Sequence, residues 1–333
     1  MRDITTEAQE LEECWQMLRR RSLGDEGADN KHLWPSLVMT GQDLIDAIRA
    51  GRAHVSWGTL TSEHNGHQLK MSVFRDAMKF DGIPAMTWRR IPVPEGHPDF
   101  GKVFDGVRMP VTAVEMQQIA DLLGCMMLTP KLIDLIWLEA GKSGVQFESI
   151  VNLGPPSYPI VAEADIHVVH RLIEAALAKA GGDNGGFIDS VGKYWVLCNA
   201  MLVGKFSALL QQAINYGWAT KGKGNGPGVT GKVNMWQRIG AQHPFSHYDP
   251  SQVIRLVYRM AKLLRAGTTD WVDTDLYDVA ADPELAPLIS HEGVLKVARQ
   301  QGVPEPPTVR QADGSYLLPE TIILGDPQAA LLV

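Results

Sequence analysis

The chain predicts an α+β fold: a mixed helical core with small antiparallel sheets, helices packed on the sheet, and an extended C-terminal arm. Three observations carry that prediction. Val55 and Trp57, then Leu69, Met71 and Val73, alternate with polar neighbours on either side of Asn65-Gly66, the signature of a hairpin with a tight turn. Apolar residues then recur at helical spacing behind two helix starts, Thr112 with Glu115 and Thr129 with Pro130. Beyond Pro304 the chain is rich in proline with short apolar runs, which neither period explains.

From the N-terminus, residues 5–21 read as a helix ending in Arg19, Arg20 and Arg21, cations suited to the negative end of the helix dipole. A short helix is expected from Gly41 to Ala50, and the hairpin follows. His64 and His67 flank its turn and read as exposed polar residues. Pro84, Pro92, Pro94 and Pro98 break any regular element between Ile83 and Pro98. Two helices come next, one closed at Gly124 and one running to Leu138, with Met116, Ile119, Leu122, Ile133, Ile136 and Trp137 as core. Gly154, Pro155, Pro156 and Pro159 mark a boundary. The chain therefore divides into an N-terminal α+β lobe, 1–150, a second α+β lobe, 151–266, and an acidic segment with the C-terminal arm, 267–333.

In the second lobe a helix is expected from Ala162 to Ala180. Its His167 and His170 share a face and read as packed or surface residues, because no third ligand accompanies them. Phe187 to Tyr216 is apolar enough to be central, and Val233 to Gln237 reads as a strand. Asp249, Pro250 and Gln252 then have the grammar of a helix start, followed by an apolar stripe of Val253, Ile254, Leu256, Val257, Met260, Leu263 and Leu264. The aspartates from Asp270 to Asp282 lack the order of a calcium loop and read as a solvated face. A last helix is expected from His291 to Gln300.

Composition narrows the function classes. Of 333 residues, 45% are hydrophobic and 21% charged, enough for a real core. A net charge of -7 argues against nucleic acid as the main partner, since that affinity rests on cations meeting phosphates. Acidic residues scattered through the first twenty-one positions leave no signal peptide and no membrane anchor, so synthesis in a cytoplasm is expected. Cys14, Cys125 and Cys198 are odd in number and far apart, which fits reduced thiols.

The densest chemistry lies in residues 243–252, where His243, Ser246, His247, Tyr248, Asp249 and Ser251 fall within nine positions. His247 stands two residues from a carboxylate and four from a hydroxyl, a base with an orienting partner. The expected catalytic set is His247 as base, Asp249 as its orienter, Ser251 as hydroxyl and Lys193 as base or charge anchor. Arg255, Tyr216, Trp218, Trp236 and His243 are the expected substrate contacts, Arg255 for an anionic group and the aromatics as a platform for flat rings. No cofactor and no metal is expected, although His243, His247 and Asp249 would be the ligands of a metal-dependent variant. Gly226 to Lys232 matches the spacing of a phosphate-binding loop, but Val233 replaces the magnesium-binding hydroxyl and no buried strand precedes it.

The segments VRMPVTAVEMQQIADLLGCMMLTPKLIDLIW, GKYWVLCNAM, INYGW and HYDPSQVIRLV are similar, in the same order, to segments of an uncharacterised family of bacterial and bacteriophage proteins. Some members look secreted. The likeness covers about two thirds of the chain and is sharpest from Leu123 to Lys131 and from His247 to Leu256. Where relatives read Ser-His-Gly this chain has Ser251-Gln252-Val253, and where they read Gly-Trp-His it has Gly217-Trp218-Ala219. Both differences remove a histidine. Residues 243–252 make a hydrolase the expected function, and the resemblance, which carries no known reaction, suggests bacterial cell-wall glycan or peptide as its substrate; the alternative is a non-enzymatic structural or interaction protein, a virion component assembled as an oligomer through residues 304–333.

Overall fold

The computed structural model describes residues 39–87, 90–146, 166–189, 192–203, 211–248, 251–306, 309–310, 316–317 and 321–332. The expected N-terminal helix at 5–21 and the proline-rich stretch at 151–160 lie outside them. The fold is α+β, as the sequence predicts.

Helix α1 (Gly41–Arg49) starts at Thr40, whose hydroxyl accepts the Asp43 amide at 3.3 Å. It leads through β1 (Ala53–His54) into the hairpin of β2 (Trp57–His64) and β3 (His67–Phe74), paired from Trp57↔Phe74 to His64↔His67. Asn65 and Gly66 adopt the left-handed conformation, φ 48° and 81°, that a two-residue turn with the twist of its strands requires. Short strands β4 (Lys79–Phe80), β5 (Ile83–Pro84), β6 (Val103–Phe104) and β7 (Val107–Arg108) follow. Helix α2 (Ala113–Leu122) opens on a complete capping box: Glu115 N–H donates to the Thr112 hydroxyl at 3.2 Å, and Thr112 N–H to the Glu115 carboxylate at 2.8 Å. After β8 (Cys125–Met127), α3 (Pro130–Ser143) starts at Thr129 with proline in its first turn.

Past β9 (Val145–Gln146), helix α4 (Ile166–Lys179) packs on the β4/β7 region largely through charge. Arg108 is buried beneath it, donates to Glu174 at 2.6 Å and pairs with Asp76; Lys79 reaches Glu174 at 3.2 Å. His167 is buried, pairs with Asp99 at 2.8 Å and stacks on Phe104, while His170 is half-buried beside Arg108. Burial, aided by the Arg108 guanidinium, pushes the His170 imidazole down to about 4. An unfolded histidine takes its proton near 6.5, so below that pH the unfolded chain binds the extra proton first. His170 therefore leaves stability intact above pH 6.5 and erodes it as pH falls toward 4, by roughly 2–3 kcal/mol at most. Urea titrations at pH 7 and pH 4.5 are expected to show a smaller acid-induced loss in His170→Asn than in the wild type; equal losses would assign that loss to other groups.

The remaining strands form two sheets. Strands β15 (Leu256–Tyr258), β16 (Met260–Leu264) and β17 (Trp271–Asp275) join the hairpin in the order β17-β16-β3-β15-β8, with β2 on the other edge of β3. The helix expected across Val253 to Arg265 is thus two strands. The stripe that suited a helix also satisfies period two, because Ala261 and Leu263 are buried while Met260, Lys262 and Leu264 are half-buried. β15 sits between β3 and β8, where β-branched Val257 is fully buried, and this tertiary setting decides the conformation. A second sheet, in the order β11-β12-β14-β13, is built from β10's (Ile188–Asp189) successors β11 (Lys193–Val196), β12 (Gln212–Thr220), β13 (Gly226–Pro227) and β14 (Asn234–Pro244).

The expected division at 150 and 266 is not how the molecule is built. The first sheet draws strands from residues 57–74, 125–127 and 256–275, and one apolar core holds Leu44, Met71, Ile136, Trp195, Ile214, Leu256 and Leu288 together. Helix α5 (Leu276–Ala281) ends the acidic run, and the expected helix at His291–Gln300 is irregular chain. Side chains of β2 and β3 fasten the chain on either side of it: Ser62 donates to Leu288 O, Thr59 to Ala330 O and Ser72 to Pro327 O, while the Trp57 indole donates to Leu324 O at 2.7 Å. Residues 321–332 of the arm therefore lie on the chain's own sheet.

Candidate functional site

One face of the second sheet gathers four of the nine expected site residues, Lys193, Trp218, His243 and His247. Side chains alternate across a strand, so Lys193 and Trp195 of β11 share a face that excludes Tyr194 and Val196. Their register partners on β12 are Gly217 and Asn215. On β14 the partners of Gly217, Asn215 and Ala213 are Gln237, Gly240 and His243, spaced by three residues where a regular strand would space them by two. Two bulges absorb the extra residues and keep all three on this face. Beside β11, Gln252 forms a parallel bridge to Lys193. The face thus presents a row of Gln252, Lys193 and Gln237, then Trp195 and Asn215, then His243.

The rows pack through two glycines and one strained tryptophan. A Cβ on Gly217 would collide with the Gly192 carbonyl, and one on Gly240 would overlap the Asn215 amide. Trp218 follows with φ 57°, a left-handed conformation that costs about 1–3 kcal/mol in a non-glycine residue and persists where the surroundings impose it. Its ring comes to lie 4.6 Å from Lys193 Nζ, a cation–π contact.

His243 is the penultimate residue of β14 and His247 follows a tight turn in which His247 N–H donates to Pro244 O at 2.9 Å. The turn stacks the two imidazoles at 4.1 Å, nearly parallel, and both meet the Trp195 ring edge-on at 6.0 and 6.2 Å. Neighbours hold the turn in place. Phe245 N–H donates to Gln211 O and Val114 N–H to Phe245 O, while the Arg90 guanidinium lies 4.7 Å over the Tyr248 ring. Arg90 is buried with φ 58° and makes a bidentate pair with Glu115 at 2.9 and 2.7 Å. Burial works against both charges and the pairing prevails, holding Arg90 above its ordinary value and Glu115 below.

Other expected site residues lie elsewhere. Arg255 is buried on the far side, where its guanidinium is spent on internal partners, donating to Phe74 O at 2.8 Å, Tyr194 Oη at 3.2 Å and Asp189 at 3.4 Å. Tyr216 faces away from Lys193 and donates to Asp134 at 2.7 Å. Trp236, half-buried, alternates onto the face opposite Gln237. Ser251 is buried in the turn before Gln252, and Asp249 lies outside the described residues. Among the described residues no group of three or more His, Cys, Asp or Glu is arranged to hold a metal ion, and no helix is long and apolar enough to cross a membrane.

The phosphate-loop spacing is closed to phosphate. Gly228 N–H donates to Val233 O, Val229 N–H to Tyr216 Oη, Thr230 N–H to Asp134, Gly231 N–H to Gly228 O and Lys232 N–H to the Thr230 hydroxyl. These five amides are spent within the protein.

Asn215 and Gln252 were not among the expected site residues. Both are fully buried, and none of their four side-chain nitrogen and oxygen atoms has a hydrogen-bond partner among the described residues. A signal for Asn215 existed, a carboxamide between Ile214 and Tyr216 in an otherwise apolar strand. The chain matches no family model, no curated protein and no solved structure.

Proposed function

We propose that the protein is a hydrolase working at the polar face of β11, β12 and β14, with His243 and His247 as its proton-transfer pair. The observation that carries this reading is the stack of two imidazoles at 4.1 Å against Trp195, set at the end of a sheet strand. In the step envisaged, one imidazole takes a proton from water as the water oxygen bonds to the carbonyl or anomeric carbon. The bond to the leaving group breaks and the same proton passes to that group. Lys193 and Trp218, held together one row away, supply a charged and an aromatic contact. No metal or cofactor enters this scheme.

The resemblance to bacterial and bacteriophage proteins makes cell-wall glycan or peptide the substrate to try first. The rival reading is a virion component assembled through residues 304–333, of which residues 321–332 lie on the chain's own sheet. Wild-type protein and His247→Ala, incubated with peptidoglycan and with ester and glycoside reporters, test the proposal. Turnover is expected from the wild type and a loss of at least about a hundredfold from the variant, the usual contribution of a general base. Turnover unchanged by the substitution, or none from either protein, removes the hydrolase reading.

A further inference from the structure

We infer that this face takes a peptide-type ligand, one that carries an amide and a carboxylate, and that Asn215 and Gln252 are the groups that read the amide. The inference deepens the hydrolase proposal and rests on it for the location of the substrate. Asn215 and Gln252 are 0% exposed, and among the described residues neither carboxamide has a hydrogen bond on its oxygen or its nitrogen. Buried polar groups are almost always paired, so two amides on one sheet face with no partner among the described residues point to a ligand. Gln252 bridges Lys193, and Asn215 stands opposite Trp195, one row nearer the histidine pair.

The chemistry of the partner follows from these groups. A carboxamide offers an acceptor and two donors in one plane, and an amide returns a donor and an acceptor at the matching separation. A lone hydroxyl presents both roles on a single atom and cannot make that two-point match; a vicinal diol can, but it brings no anion for Lys193. Lys193, on the same face, suits an anionic group beside the amide. Gln237, His243, His247 and Trp218 form a half-buried rim over the amides, and the two bulges of β14 together with left-handed Trp218 make this the least regular part of the sheet. A ligand reaches Asn215 and Gln252 by parting that rim.

Binding to the full chain is measured with N-acetyl-dialanine as the free acid, with its C-terminal amide, and with maltotriose, which has no amide. The free acid is expected to bind, the capped peptide at least tenfold more weakly, and maltotriose not at all. Asn215→Leu and Gln252→Met keep shape and remove the polar atoms; each is expected to weaken binding of the free acid at least tenfold while the melting temperature holds or rises. In wild-type protein the side-chain NH2 resonances of Asn215 and Gln252 are expected to shift on addition of the peptide, a readout independent of whether a variant folds. Resonances that do not move, or affinity unchanged in both variants, overturn the inference and assign the amides to internal water. Maltotriose binding as tightly as the peptide overturns the ligand class and leaves a hydrolase of glycosides standing. Peptide binding without turnover by wild-type protein supports the ligand class and removes the hydrolase.

Discussion

Arg255→Ala is expected to destabilise the protein by about 3–5 kcal/mol, a large part of the stability of an ordinary domain. The guanidinium is buried and spends its donors on Phe74 O, Arg75 O, Tyr194 Oη and the Asp189 carboxylate, so it ties the end of β3 to β10 and β11. Truncation leaves Asp189 buried without its counter-charge. Burial already raises the Asp189 carboxyl above its ordinary range, with Arg255 opposing, so loss of the arginine raises it further. A folded-state carboxyl raised in this way gains stability as pH falls through that value toward the unfolded one. The deficit of Arg255→Ala is therefore expected to shrink between pH 7 and pH 4.5 in urea titrations, and Asp189→Asn in the same chain to restore part of it. An unchanged melting temperature would return Arg255 to the role of a surface anion anchor.

The second large effect is expected at Asp134. Its carboxylate accepts Tyr216 Oη at 2.7 Å and the Thr230 hydroxyl and amide at 2.7 and 2.8 Å, and Tyr216 Oη in turn accepts Val229 N–H at 2.9 Å. This one group fastens the glycine loop of residues 226–233 to α3. Asp134→Ala strands several buried donors at once and is expected to cost about 3 kcal/mol, at roughly 1–3 kcal/mol for each group left unsatisfied. Limited proteolysis at Lys232 is expected to accelerate in the variant ahead of global unfolding. Cleavage at the wild-type rate would mean that the loop is held by its own turns alone. Tyr216→Phe removes only one hydroxyl and is expected to act in the same direction with smaller size.

Local chemistry made much of the fold legible. The capping residues of α2 and α3 and the Asn65-Gly66 turn act within four residues, so the sequence states them outright. Residues 253–264 were ambiguous because their apolar positions satisfy both periods, and only the place of β15 between β3 and β8 and of β16 between β17 and β3 resolves them. Arg255 was legible as a charge, not as a buried one, since its partners are contributed by residues 60 or more positions away. The site was half legible. The density of residues 243–252 pointed to His243 and His247, but strict alternation along β14 would not place Gln237, Gly240 and His243 together. The two bulges do that, and nothing in the local sequence announces them.

The most direct test of the central claim is a double-mutant cycle on turnover with His243→Ala, His247→Ala and the two combined. Groups that act as one unit are strongly non-additive, so the double variant is expected to lose no more activity than the worse single variant. Losses that multiply, or a single variant with full activity, would contradict a stacked pair working as one proton-transfer group.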